Sequence, residues 1–127
     1  MIGTTRNVRV YAYGKATDMR KGYEGLSALV REKLKSDPMS GDLYLFVNAR
    51  RKRAKVLLYD GTGMCIYMKR LDKNRFACPW RRAEGDTLKL TMSELSLFLE
   101  GSELVFFRPL SPEPIGIDDL QVVTALR

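Results

Sequence analysis

Forty central residues, 41–80, constrain the fold of this chain more than any other segment. Three apolar runs of strand length lie within them, at residues 43–47, 55–59 and 64–69. Four consecutive cations separate the first two runs, and an aspartate–glycine pair, which is typical of tight turns, separates the last two. Because connections this short join antiparallel neighbours, these residues predict an antiparallel meander.

An amphipathic helix is predicted before this block, because apolar residues recur there at three- and four-residue spacing. The members of the stripe are Tyr23, Leu26, Leu29, Val30 and Leu34. Thr17 or Asp18 is placed to cap the helix, and the Asp37-Pro38 pair is placed to stop it. Gly22 leaves a later start open, since a glycine inside a helix costs about 1 kcal/mol relative to alanine.

Shorter elements flank these two segments. Residues 8–13 read as a strand that ends at Gly14, and residues 87–90 as another. Thr91 and Glu94 form a capping box at the head of a two-turn helix that glycine 101 closes. The combined pattern predicts an α+β fold with a mainly antiparallel sheet of about four to six strands, one long helix and one short helix.

One domain is expected for 127 residues. We assign residues 1–108 to it, with a last strand at 104–107, and residues 109–127 to a proline-rich tail. The tail holds a candidate short helix with apolar residues at Ile117, Leu120, Val123 and Leu126. Three strands that are apolar on both faces exceed the cover that two helices supply, so we expect a homodimer, with the tail as the competing cover.

The composition argues against catalysis. The chain has no histidine, which removes the commonest general base near neutral pH and most zinc and iron sites. Asp18, Asp60 and Asp72 are the carboxylates near the best motifs, and a two-metal nuclease needs several that converge. The sequence therefore predicts a protein that is not an enzyme and holds no metal or cofactor, with a small metal-dependent nuclease as the weakest alternative.

Compartment follows from what the sequence lacks. No apolar run approaches the roughly 20 residues of a membrane span, and the first residues lack the apolar core of a signal peptide. Cys65 and Cys78 have no metal-type spacing and are expected to be reduced packing residues. We expect a cytoplasmic protein with no membrane partner.

Positive charge is concentrated in the centre of the chain. Residues 48–82 hold eleven Lys/Arg and two acids, a net of +9 in a chain of net +7. Residues 1–90 have a net charge of +11 and residues 91–127 of −4, so the acidic end either supports self-association or competes with nucleic acid for the same cations. A basic surface of this kind predicts DNA binding that is mainly electrostatic and weakly sequence-selective.

The candidate DNA-contacting residues are Arg20, Lys21, Arg50, Arg51, Lys52, Arg53, Lys69, Arg70, Arg75, Arg81 and Arg82. Two alternatives stay open within this set. The four cations of residues 50–53 are either a phosphate-contacting loop or a solvated hairpin tip. Arg20 either binds phosphate together with Lys21 at a helix N-terminus or has a structural role, in which it pairs with an acid or lies over an aromatic ring. The aromatic residues also allow two interpretations, core packing or stacking on bases. They are Tyr44, Phe46, Tyr59, Tyr67, Phe76 and Trp80.

Several motifs in register, over roughly residues 7–101, resemble the small accessory protein TnpB, the product of the second open reading frame in insertion sequences of the sixty-six family. TDMRKG stands intact at residues 17–22, and LTMSELSLFLEG at residues 90–101 looks like the closing helix of that family. The central pattern is matched by Asp60-Gly61, Cys65, Lys69-Arg70-Leu71, Arg75-Phe76 and Pro79. In the basic loop the family pattern is closer to FRNRRGDR, so that Val47 and Ala49 stand here in place of two arginines.

The resemblance implies a protein that is encoded beside a transposase and helps the element to move, while a separate, larger product is the catalyst. It implies no relation to the RNA-guided nuclease that shares the TnpB label. Two functions fit this role: an accessory factor that binds DNA through the basic loop, or an adaptor that docks on the transposase through an apolar sheet face.

Overall fold

The computed structural model describes residues 7–102 and residue 105. Within them lie the strands and helices β1 (Val10–Tyr13), α1 (Tyr23–Glu32), β2 (Leu43–Val47), β3 (Arg53–Tyr59), β4 (Met64–Arg70), β5 (Thr87–Leu90) and α2 (Met92–Leu99). A short 3-10 helix spans Pro79–Arg81. The strands form one sheet in the order β4-β3-β2-β1-β5.

The predicted α+β class and the antiparallel meander are confirmed. β2 pairs antiparallel with β3, with Leu45 opposite Val56, and β3 pairs antiparallel with β4, with Val56 opposite Tyr67. β5 runs antiparallel to β1. β1 and β2 are parallel, with Val10 opposite Leu43. A parallel pair needs a long crossover, and the segment that contains α1 supplies it.

One face of the sheet is covered by α1. Leu26 and Val30 of the helix are fully buried and cluster with Tyr44, Phe46 and Leu57 of the central strands. Both aromatic residues of β2 are thus core residues, as the packing interpretation predicted. Burial of this amphipathic face accounts for a helix of only 10 residues, which would be marginal in isolation.

The opposite face is covered by α2 and by the segment that precedes the 3-10 helix. Phe98 of α2 stacks on Phe76, with ring centroids 4.8 Å apart and an interplanar angle of 8°. Both rings are fully buried and cluster with Leu45, Val47 and Val56. β2 is buried along its whole length by residues of this chain. The expectation that its apolar faces need a second subunit as cover is therefore wrong for β2. The homodimer itself stays a prediction.

The predicted cap of the first helix is wrong. α1 begins at Tyr23 after Gly22, and no side chain caps it, so the later start that Gly22 left open is the correct one. Residues 17–22 form a loop instead, because the Asp18 carboxylate accepts a hydrogen bond from the amide of Arg20 at 2.8 Å, a local alternative to helical bonding.

The predicted stop of this helix at the Asp37-Pro38 pair is also too late. α1 ends at Glu32. Lys35 has a φ of 53°, in the left-handed region, and this residue turns the chain back before the proline is reached. By contrast the capping box of α2 is confirmed, since Thr91 and Glu94 each bond the other's amide, at 3.0 and 2.8 Å.

Some sequence predictions fall outside the described residues. They are the strand at residues 104–107, apart from the buried Val105, and the tail at residues 109–127 with its candidate helix. Cys65 and Cys78 are both free. Of the helices in the described part of the chain, none combines the length and the hydropathy that crossing a membrane requires.

The stacked pair on the second face provides a test of the core. We expect Phe98→Ala to lower the free energy of unfolding by about 3–5 kcal/mol, because it removes a fully buried ring and leaves a cavity beside Phe76. Urea denaturation followed by circular dichroism measures the loss. Leu97→Ala is the matched control on the same helix, since Leu97 is exposed. Equal losses for both variants would contradict the assigned packing.

Candidate nucleic-acid interface

The basic loop between β2 and β3 has a fixed conformation. The Asn48 side-chain oxygen accepts hydrogen bonds from the amides of Lys52 and Arg53, at 2.9 and 3.0 Å. The Asn48 carbonyl accepts another from the amide of Arg51, which has a φ of 59°. These bonds fix the backbone of the loop from inside, while the side chains of Arg50 and Arg53 are exposed to solvent.

The segment after β4 holds the loop from outside. The Lys52 carbonyl accepts a hydrogen bond from the amide of Leu71 at 2.9 Å, and the Arg51 carbonyl accepts one from the amide of Phe76 at 2.7 Å. The Arg51 guanidinium in turn donates to the Phe76 carbonyl at 3.2 Å. Arg51 is therefore directed towards residue 76 and serves the connection between the two segments.

The loop at residues 17–22 is held beside the basic loop. The amide of Thr17 donates to the carbonyl of Val47, the last residue of β2, at 2.8 Å. The Lys55 ammonium donates to the carbonyls of Met19 and Lys21, both at 2.8 Å. Lys55 was missed as a site residue; its signal in the sequence is a single lysine on an otherwise apolar stretch of strand.

Strand direction brings these segments together. β1, β2 and β4 all run the same way, because β2 is parallel to β1 and two antiparallel steps separate it from β4. Their carboxyl ends therefore lie at one edge of the sheet. Residues 16–19, 48–50, 52–53 and 70–72, which follow or include these ends, line a cleft of about 690 Å³ at this edge, and we call it the basic cleft.

Three kinds of side chain line the basic cleft: cationic, apolar and acidic ones. Four of the eleven predicted DNA-contacting residues belong to it: Arg50, Lys52, Arg53 and Arg70. The three arginines are exposed, and Lys52 is half-buried. Met19 and Leu71 add apolar surface, and Asp18 and Asp72 add carboxylates.

Asp18 is engaged within its own loop. Its carboxylate binds the Arg20 guanidinium through two nitrogens, with the shortest contact at 2.7 Å. Hydrogen bonds from the Arg20 side chain and then from its amide lower the pKa of Asp18 to about 2. Of the two roles left open for Arg20, pairing with an acid is therefore the one observed in this structure.

Thr17 has an unusual environment. Thr17 is 4% exposed. Its hydroxyl oxygen has no hydrogen-bond partner among the residues that the structure describes. A buried hydroxyl without a partner costs about 1–3 kcal/mol. Thr17 lines the basic cleft, and no sequence pattern distinguishes it from a helix-capping threonine.

The remaining predicted cations lie elsewhere. The Lys69 ammonium donates to the carbonyl of Leu99 at 2.6 Å and so satisfies the last turn of α2. Lys21, Arg75 and Arg81 are exposed outside the lining, and Arg82 is half-buried near the 3-10 helix.

Of the three acids considered for catalysis, Asp18 and Asp72 line the basic cleft and Asp60 lies apart from them. Asp60 lies at the opposite end of β3 from the basic loop, in the predicted tight turn, where it accepts bonds from the amides of Thr62 and Gly63. These bonds lower its pKa to about 2. The described part of the chain contains no group of three or more His, Cys, Asp or Glu residues placed to hold a metal ion.

Comparison with known proteins identifies the family. Residues 8–108 match the family described as "IS66 Orf2 like protein", and the chain belongs to it. This membership makes it an accessory protein of an insertion-sequence transposition system. No solved structure matches the chain.

Two relatives come from Sinorhizobium fredii (strain NBRC 101917 / NGR234). Uncharacterized protein y4hO is 39% identical over 101 residues, which cover 80% of this chain and 86% of the relative. Uncharacterized protein y4jC is 34% identical over 101 residues, which cover 80% of this chain and 85% of the relative.

The role of Asn48 can be tested by stability. We expect Asn48→Ala to lower the free energy of unfolding by about 1–3 kcal/mol, because the amides of Lys52 and Arg53 each lose an acceptor. Hydrogen exchange at these two amides should also accelerate. Asn48→Asp retains an acceptor oxygen and is the control; slow exchange in the alanine variant would show that the loop is organised by other contacts.

The ion pair in the other loop gives a pH prediction. A carboxyl-carbon NMR titration should place the Asp18 pKa near 2, and Arg20→Gln should return it towards the ordinary value of 3.8. Because the folded-state pKa is below the unfolded one, the pair stabilises the fold above about pH 4 and is lost as pH falls through about 2. A wild-type midpoint near 3.8 would mean that the pair does not form in solution.

Proposed function

We propose that this protein is a non-enzymatic accessory factor that binds DNA through the basic cleft during transposition. One observation carries the proposal: three cations of the basic loop and Arg70 at the end of β4 line a single cleft, and hydrogen bonds to backbone groups hold its loops. Exposed guanidinium groups on a fixed loop are suited to phosphate oxygens, since little conformational freedom is lost on binding.

The proposed contact set is narrower than the sequence suggested. Arg51 and Lys69 bond backbone carbonyls and Arg20 bonds a carboxylate, so these three cations are engaged in the fold. The primary contacts are then Arg50, Lys52, Arg53 and Arg70, with the exposed Lys21, Arg75 and Arg81, and the half-buried Arg82, as secondary ones. Affinity from such contacts is strongly salt-dependent and carries little sequence information.

The same geometry supports a non-catalytic role. Asp18 is bonded to Arg20, and Asp60 is bonded into a turn at the other end of β3. Among the described residues, Asp72 is thus the carboxylate of the cleft that has no bonded partner, and one carboxylate does not make a two-metal centre. The proposal assigns strand cleavage and joining to the transposase of the same element.

A second candidate function rests on β4, the outermost strand on one side of the sheet. β4 is an edge strand, and its Tyr67 and Met68 are 51% and 60% exposed. An exposed edge with large apolar side chains is suited to pairing with another chain. This edge would serve an adaptor that docks on the transposase, or the homodimer predicted from the sequence.

Matched charge variants test the proposed DNA binding. Changing Arg50, Lys52, Arg53 and Arg70 together to glutamine should weaken binding to a DNA fragment by about 1–3 kcal/mol. The log–log salt slope should also fall by about 0.9 for each phosphate contact that is lost. Fluorescence anisotropy at several salt concentrations measures both quantities.

The control removes four cations away from the cleft, all exposed: Arg31, Lys33, Lys35 and Lys89. It changes the net charge equally and should retain most of the affinity and slope. Equal losses in the two variants would indicate a diffuse charge effect. An unchanged cleft variant would favour the adaptor function through β4.

A further inference from the structure

The lining of the basic cleft is not purely cationic, and this restricts the ligand. The half-buried Met19 and Leu71 contribute apolar surface to the same lining as the cations. A bare phosphate row would leave that surface in water. The cleft has a volume of about 690 Å³ and is open to solvent, so an extended ligand can lie along it.

We infer that the basic cleft accepts unpaired nucleotides, so that the ligand is single-stranded DNA rather than the side of a duplex. This inference rests on the proposed function and specifies its ligand. In a duplex the bases are stacked and paired, and only phosphates and groove edges reach the protein. A single strand presents phosphates together with free apolar base faces, the combination that the lining matches.

The hydroxyl of Thr17, which has no hydrogen-bond partner within the described part of the chain, supports the same assignment. Such a group is unfavourable in the free protein, and a small shift of the 17–22 loop would let a polar ligand atom in the cleft bond to this buried oxygen. Thr17 is fixed through its amide to Val47, so its backbone is already positioned at the cleft. Phosphate and base oxygens of an unpaired nucleotide are both suitable acceptors.

The carboxylate of Asp72 agrees with a base in the cleft better than with phosphates alone. A carboxylate repels a phosphate but accepts hydrogen bonds from base amino groups, as acidic side chains do from cytosine. Asp72 is exposed and lines the cleft beside Leu71. The cleft therefore combines cations that contact the DNA backbone with apolar, hydroxyl and carboxylate groups that contact the base.

The test compares a single-stranded oligonucleotide with a duplex of the same length, each labelled, by fluorescence anisotropy with the full chain at one salt concentration. The duplex has the higher charge density, so attraction by cations alone favours the duplex. We expect the single strand to bind about tenfold more tightly, because packing of a base face on the apolar lining removes roughly 50 Å² of apolar surface from water.

Two variants separate the base contacts from the charge contacts. Thr17→Val and Met19→Gln retain side-chain size and net charge and should each weaken single-strand binding about three- to tenfold, with duplex binding within about twofold. Met39→Gln, at an exposed methionine outside the lining, is the control and should change neither.

A thermal melt of Thr17→Val distinguishes a ligand contact from a structural role. Removal of a buried, unpaired hydroxyl should leave the melting temperature unchanged or raise it, while single-strand affinity falls. A lower melting temperature together with lower affinity for both ligands would overturn the inference. Equal affinity for single strand and duplex would overturn it too but leave the proposed function standing, whereas no binding to either would remove both.

Discussion

Burial of β2 on both faces is the constraint on which the rest of the structure depends. All five residues of Leu43–Val47 are buried, so the strand needs apolar cover on each side. α1 supplies one layer with Leu26 and Val30, and the stacked Phe76 and Phe98 supply the other. A three-layer arrangement of helix, sheet and helix follows from one strand that has no solvent-facing side.

The position of β2 in the centre of the sheet, next to β1, also determines where the basic cleft forms. α1 lies between β1 and β2 in the chain, and the crossover that contains it makes the two strands parallel. The loop at residues 17–22 therefore lies beside the end of β2, where Val47 bonds Thr17. If β1 and β2 had been joined as a hairpin, their carboxyl ends would lie at opposite edges and the two loops would not meet.

Several cations of the basic region stabilise the fold. Lys55 binds two carbonyls of the 17–22 loop, Lys69 binds the carbonyl of Leu99, and Arg51 binds that of Phe76. Each satisfies a backbone acceptor in a loop or at a helix end, where regular structure provides no donor. A count of positive charge therefore overestimates the surface that is free for a ligand, and the fixed geometry of the remaining cations matters more than their number.

The sequence by itself determined the features that depend on neighbouring residues: the strands at 43–47 and 87–90, the tight turn at Asp60 and the capping box of α2. Periodicity and short-range hydrogen bonds carry this information. The run of four cations at residues 50–53 can also be read directly from the sequence. It did not determine strand direction, the helix start after Gly22, or the partners of Arg51, Lys55 and Lys69. Only the tertiary structure decided strand direction and these partners, because they depend on contacts between residues that are distant in the chain. The helix start was missed for a different reason: an aspartate can bond a nearby amide either in a helix cap or in a loop, and here Asp18 does so in a loop.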